Sequence, residues 1–345
     1  MTGPEREAEA SAPRGASPVY HGGDLTQARH RRPDLALPWI DLSTGINPRP
    51  WPVPALSPEA WTRLPEAAAV ATLEQAAAEA FGVPEADGVA ATPGTQAAIQ
   101  MLPRLAPGAS VGILGFTYQE HAHAWASAGR TVEVVETLEE LARFDVAVIV
   151  NPNNPDGRVV SADALAAFAI DRVSAARRLI VDEAFVDVLE EGASLAPRLP
   201  LPGTIVLRSF GKTWGLAGVR LGFVLADAAF AARVRAAFGP WAIGGPAIEI
   251  GRAALADRAW LEATRARLAG EVVRLDGLIE AAGLEVVGGT PLYRLGRGPG
   301  AGALFERLAD AAIHVRRFPH APELLRFGLP GSEAEWDRLA AATRG

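Results

Sequence analysis

Between about residue 67 and residue 225, short apolar runs alternate with longer segments whose apolar positions recur at helical spacing. An Ala-rich segment over 67–81 predicts a helix and Val89-Ala90-Ala91 a strand. A helix from 95, a strand Val111–Leu114, a helix over 119–128 and strands Thr131–Val135 and Val146–Val150 follow. The alternation continues through a helix at 161–177 and strands Leu179–Val181, Thr204–Leu207 and Leu221–Leu225. Runs that are apolar at every position suit strands covered on both faces. The pattern therefore predicts an α/β fold with a mostly parallel sheet between helical layers. After Pro240 the character changes. One long Ala/Arg/Leu helix over 246–282, short strands near 284–288 and 291–295, a helix over 301–312 and strands near 313–317 and 323–328 read as a smaller α+β domain. The expected organisation is a loose arm over 1–18, an N-terminal segment 19–48, a large domain 49–240 and a small C-terminal domain 241–345.

Composition narrows the chemistry mainly by exclusion. A chain of 345 residues that is 49% hydrophobic can bury one large core or two moderate ones. With 33 basic and 40 acidic residues, a net charge of -7 and no clustered basic face, nucleic acid is a poor partner and a small molecule the better one. Cysteine is absent, which removes disulfides and thiolate metal sites, and no metal is expected. No apolar run approaches the roughly 20 residues of a membrane helix. Residues 1–18 lack the apolar core of a secretion signal, so a cytoplasmic protein is the expectation.

In an open parallel sheet, ligand groups collect where strands end at their carboxyl edge, so the residues just after apolar runs are the candidates. Thr204–Leu207 leads to Ser209 and to Lys212, which stands among small residues with Arg220 eight positions on. A lysine that attacks a carbonyl needs a partly dry setting that lowers its pKa, and small neighbours let a bulky cofactor approach. A glycine-rich surface loop with a solvated lysine is the other reading. Leu179–Val181 runs straight into Asp182, a carboxylate at a strand end that could equally be a helix cap. Val146–Val150 leads into Asn151-Pro152-Asn153-Asn154-Pro155-Asp156-Gly157, where prolines forbid helix and fix a turn. Val89–Ala91 opens into Gly94, Thr95 and Gln96 at a helix start, where free N–H groups and the helix dipole favour an anion. Val111–Leu114 is followed by Tyr118, a stacking aromatic or an ordinary tyrosine.

Taken together, these segments resemble fold-type I pyridoxal-phosphate enzymes, the aspartate-aminotransferase superfamily, over essentially the whole chain after residue 18. The resemblance implies pyridoxal 5′-phosphate as cofactor. It implies a Schiff base on Lys212, with phosphate held by Ser209, Arg220, Gly94, Thr95 and Gln96. Tyr118 would stack on the ring, Asn154 would bond the phenolic oxygen, and Asp182 would keep the pyridine nitrogen protonated. It also implies a homodimer with sites drawn from both subunits, and an N-terminal segment packed with the small domain. Where many relatives carry tyrosine this chain has Phe185, which cannot donate to the cofactor oxygen.

Rival motifs fare worse. A phosphate loop ending in Gly211-Lys212-Thr213 needs glycine five positions before Gly211, where Val206 stands inside an apolar run. The glycines at 296, 298, 300 and 302 come too late in the chain, with no βαβ unit after them, for a dinucleotide site. His121 and His123 are two apart in a predicted helix, splayed rather than convergent, and read as ordinary helix residues.

Substrate groups choose the reaction, because the bond held perpendicular to the cofactor plane is the one that breaks. Glu323-Leu324-Leu325-Arg326-Phe327-Gly328 resembles the family segment whose arginine binds a substrate carboxylate, which implies that role for Arg326. Tyr20-His21-Gly22-Gly23-Asp24, with Asp41-Leu42-Ser43-Thr44-Gly45-Ile46-Asn47-Pro48, resembles the opening of cobalamin-pathway threonine-phosphate decarboxylases. That implies loss of CO2 from O-phospho-L-threonine, with His21, Gly22, Gly23, Asn47 and Arg294 as candidates for the substrate phosphate. A histidinol-phosphate-type aminotransferase is the alternative.

Overall fold

The computed structural model describes residues 22–172 and 177–344. His21 and the arm over 1–18 lie outside the described residues. Among the described residues twelve strands form two sheets: β1 Ile40–Leu42, β2 Val89–Thr92, β3 Ser110–Leu114, β4 Thr131–Val135, β5 Val146–Val150, β6 Arg178–Asp182, β7 Thr204–Ser209, β8 Gly222–Leu225, β9 Glu285–Thr290, β10 Tyr293–Arg297, β11 Ile313–Arg317 and β12 Leu324–Gly328.

The larger sheet has the order β2-β8-β7-β6-β5-β3-β4. All its strands run parallel except β8, which is antiparallel to both β2 and β7. Within the continuous apolar runs a period of two still sorts the side chains. Val89, Ala91, Ala147, Ile149, Leu179, Val181 and Val206 enter one core layer, while Ala90, Val146, Val148, Ile180, Ile205 and Leu207 enter the opposite one. Helices cover both layers, so β5 is buried at every position while the edge strand β4 leaves Val134 exposed.

The smaller sheet has the order β1-β11-β12-β10-β9, antiparallel except where β1 joins β11. β1, a three-residue strand that the apolar pattern does not reveal, thus brings the residues after position 40 from the far end of the chain to the small sheet. The expected single helix over 246–282 is two helices, Gly245–Ala256 and Arg258–Ala281, and this corrects the sequence reading. Asp257 makes the break: its carboxylate accepts from Trp260 N at 3.0 Å as an N-cap and from Trp51 Nε1 at 3.0 Å. The Ala- and Arg-rich surroundings carry helix propensity on both sides and hide the cap.

The two sheets meet closely beside the Asn151–Gly157 turn. Gly157 has φ +74, and a Cβ on it would fall 1.9 Å from the carbonyl oxygen of Gly289. Backbone rests on backbone there, which only glycine permits. Tyr293 of β10 donates its hydroxyl to the Asn153 carbonyl at 2.6 Å across the same junction.

Candidate active site

The carboxyl ends of β2, β3, β5, β6 and β7 all lie along one edge of the large sheet. Because β8 runs the other way, its amino end and the preceding Arg220 reach that edge too. Two chambers open there. The inner, of about 180 Å³, is lined by residues that include Gly94, Thr95, Gln96, Asp182, Ser209 and Arg220. The outer, of about 470 Å³, lies toward the smaller sheet and includes Gly22, Ser43, Arg316, Phe318 and Arg326 in its wall. Tyr118, Asn154, Phe185 and Lys212 line both, so the lysine stands at the passage between them.

Lys212 lies in the short helix Phe210–Thr213. Burial, then the positive charges of Arg326 and Arg220, pull its amine down to about 8 against an opposing pull from Asp182. The Phe185 ring, whose centroid is 5.6 Å from Nζ, forms the apolar side of its setting.

At one end of the inner chamber, Gly94 precedes the helix Thr95–Leu105, and no side chain caps the helix's first N–H groups. A Cβ on Gly94 would lie 2.7 Å from Arg220 Nη2, and one on Gly222 would lie 2.7 Å from the Thr95 amide nitrogen. Bare glycines therefore leave room for an anion between a helix start and a guanidinium. Arg220 sits at φ 54, an uncommon backbone for a residue with a side chain, here aiming the guanidinium into the cup.

At the other end Asp182 is 3% exposed. Its Oδ1 accepts from Ala184 N at 3.1 Å, and its Oδ2 lies 2.8 Å from His121 Nε2. His121 is wholly buried and its Nδ1 has no partner, so the tautomer that satisfies the pair carries the proton on Nε2. This corrects the expectation of an ordinary helix histidine. The signal was the three-residue spacing from Tyr118, which puts both rings on one face of the helix entrance. Tyr118 in turn donates to Gln96 Oε1 at 3.0 Å, and Gln96 Nε2 donates to Glu120 at 2.5 Å, tying the aromatic to the anion cup.

The inner chamber thus offers an anion cup at one end, a buried carboxylate at the other, an aromatic face and a low-pKa amine between. That donor set fits pyridoxal phosphate, with its phosphate, pyridine nitrogen, flat ring and aldehyde. Asn154 borders the amine, where its Oδ1 accepts from Arg326 Nη1.

Arg326 is 7% exposed, donates Nη2 to the Ser43 carbonyl at 2.7 Å, and keeps Nε buried without a partner. Burial brings its pKa down to about 10, with the nearby Arg316 pushing the same way. Arg316 was not foreseen. It pairs directly with Arg326 across β11 and β12, a register that no inspection of either strand alone reveals.

Gly22 lines the outer chamber, and Gly23 N donates to Ser43 Oγ at 2.8 Å. Two other candidates face elsewhere. Arg294 forms a two-point ion pair with Asp276 at 2.6 and 2.9 Å and lies outside both chambers. Asn47 is 1% exposed, with its side chain bonded to the Thr213 carbonyl and to Arg267. Both side chains have partners within the protein.

The family model for class I and II aminotransferases matches residues 38–342. A threonine-phosphate decarboxylase of Pseudomonas aeruginosa is 43% identical over 331 residues, 95% of this chain and 98% of that protein. One from a Sinorhizobium species is 42% identical with the same two coverages. Among solved structures, the L-threonine-O-3-phosphate decarboxylase of Porphyromonas gingivalis superposes with a TM-score of 0.72 at 21% identity, covering 87% of this chain and 97% of that one. By sequence and by fold, the chain belongs to the class I and II aminotransferase family of pyridoxal-phosphate enzymes.

Proposed function

We propose that the protein decarboxylates O-phospho-L-threonine to (R)-1-amino-2-propanol O-2-phosphate, a step of cobalamin biosynthesis, with pyridoxal phosphate in the inner chamber. The observation that carries this is the arginine pair in the outer one. Arg316 and Arg326 stand directly opposite each other on neighbouring strands and both line the outer chamber, and a cavity with two cations in its wall suits a ligand that carries two anionic groups. O-phospho-L-threonine brings two, a carboxylate and a phosphate. The similarity to two threonine-phosphate decarboxylases over nearly the whole chain supports the same substrate.

The cofactor supplies an electron sink for the pair released when a bond to the substrate Cα breaks. Lys212, Asp182, Asn154, Tyr118, Ser209, Arg220 and the Gly94–Gln96 turn would hold it. Arg326, in the wall of the outer chamber, is set to grip the carboxylate. Arg316 then takes the phosphate. Phe116 and Phe318, ring centroids 5.6 Å apart, form an apolar side of the outer chamber that limits water near the reacting carbon. Lys212 Nζ, with a pKa near working pH, delivers the proton that replaces CO2 at Cα. The reading includes a cytoplasmic homodimer, which sedimentation velocity of the purified protein checks.

Mass spectrometry of the cofactor-loaded protein with O-phospho-L-threonine, with and without 2-oxoglutarate, tests the reaction. Aminopropanol phosphate released without the keto acid supports it. Glutamate formed from 2-oxoglutarate with histidinol phosphate, and no amine from phosphothreonine, replaces it with the aminotransferase reading.

A further inference from the structure

The short helix that carries Lys212 ends against a segment from a distant part of the chain. The last carbonyls of a helix have no partner within it. Here the Lys212 carbonyl accepts from Asn47 N at 3.0 Å, the Thr213 carbonyl from Asn47 Nδ2 at 2.9 Å, and the Trp214 carbonyl from Trp51 N at 2.9 Å. Residues 47–51 thus take up three consecutive carbonyls, the first of them the lysine's own. The fit is close: Gly215 has φ +67, and a Cβ on it would lie 2.6 Å from the Asn47 carbonyl oxygen.

The other end of the Asn47 amide faces the long helix Arg258–Ala281. Its Oδ1 accepts from Arg267 Nη2 at 2.8 Å and from Arg49 N at 3.1 Å. Arg267 Nη1 holds Glu271 at 2.7 Å, and the same carboxylate receives Arg49 at 3.0 Å. The Asn47 side chain therefore touches both the lysine helix and this charged cluster, and it is buried. An amide is the side chain that can donate in one direction and accept in the other.

We infer that Asn47 is a positioning residue for Lys212, clamping the carbonyls beside the lysine and, through Arg267 and Glu271, coupling their position to the helix Arg258–Ala281. This rests on the assignment of Lys212 above, which the loss of visible cofactor absorbance in Lys212→Ala tests separately. Asn47 touches neither chamber, so it acts on the lysine through the backbone alone.

The test measures two things on the full-length protein and on Asn47→Ala and Asn47→Asp. One is the split between kcat and KM for O-phospho-L-threonine. The other is the pH midpoint at which the cofactor-free chain captures pyridoxal phosphate. The Asp variant keeps an acceptor for Arg267 but puts a carboxylate against the Thr213 carbonyl, so both variants lose the side-chain bond of the clamp while its two backbone bonds remain. The expected result for both is kcat lower by about tenfold, the cost of one buried hydrogen bond, with KM within about twofold and the capture midpoint moved upward as water reaches the amine. A raised KM with kcat and midpoint unchanged would instead make Asn47 a substrate ligand and overturn the inference. So would a folded variant unchanged in all three. If the Asn47 variants do not fold, Arg267→Met decides: a smaller shift of kcat and midpoint in the same direction is expected, and wild-type values for both overturn the coupling.

Discussion

The two chambers are built by different logic. Every polar group of the inner one sits within a few residues of the end of a strand in a single sheet, and the sheet's geometry alone brings them together. The outer one takes Gly22 and Ser43 from the start of the chain, Thr117 and Asn154 from turns of the larger sheet, and Arg316 and Arg326 from strands of the smaller. The inner chamber is a property of one element type, the parallel sheet edge. The outer exists only when both sheets are assembled. Changes in the first should damage cofactor handling at any substrate concentration, and changes in the second should appear mainly in substrate affinity.

The widest gap is expected at the passage between them. Lys212→Ala removes the amine common to both chambers, and turnover should fall by about 10^3-fold, with the visible absorbance of the loaded protein lost. Persistence of that absorbance would remove Lys212 from the centre of the site.

Next comes Arg326→Met, at a residue that lines only the outer chamber. Losing a charged contact worth about 1.5–3 kcal/mol should raise KM by about 10- to 100-fold. It should also reach inward in one measurable way. The wild-type amine at Lys212 loses its proton near about 8, so cofactor capture should rise with pH through that value. Arg326 holds this amine down, so Met in its place moves the midpoint higher. A midpoint that stays put would show the chambers to be electrostatically separate.

His121→Phe reaches the inner chamber through Asp182. Stripping Asp182 Oδ2 of its donor costs about 1–3 kcal/mol, and equilibrium dialysis should show pyridoxal phosphate bound about tenfold more weakly, with KM for substrate little changed. The smallest effect belongs to Arg294→Ala. Its ion pair with Asp276 is partly exposed and worth about 0–1 kcal/mol of stability. KM within about twofold of wild type is expected, and a large rise would bring Arg294 back as a phosphate ligand.

The same contrast explains what could be read in the sequence. Strands Thr131–Val135 and Val146–Val150 and the helix over 67–81 were legible because each carries its own apolar period. The inner-chamber residues were legible because they follow such runs directly. β1 was not, since three residues with one polar position give no period, and its pairing with β11 lies nearly the whole chain away. Arg316 was hidden because its importance comes from the partner strand. Asn47 and Arg294 look like ligands in isolation, and only tertiary packing shows that their hydrogen-bonding groups are already engaged. Asp257 was missed because one capping residue decides a boundary that propensity leaves open.

The bare contact of Gly157 with Gly289 has a mechanical meaning. With no side chain between the two backbones there is no soft layer to compress, and Gly288 meets the Asp156 carbonyl in the same way. The small sheet cannot slide past the asparagine turn at this point, and Arg326, carried on that sheet, is held to Asn154 of the turn. Bulk introduced at residue 157 or 289 would push the sheet off the turn and misalign the substrate's arginine with the cofactor's neighbour while leaving every catalytic group chemically intact.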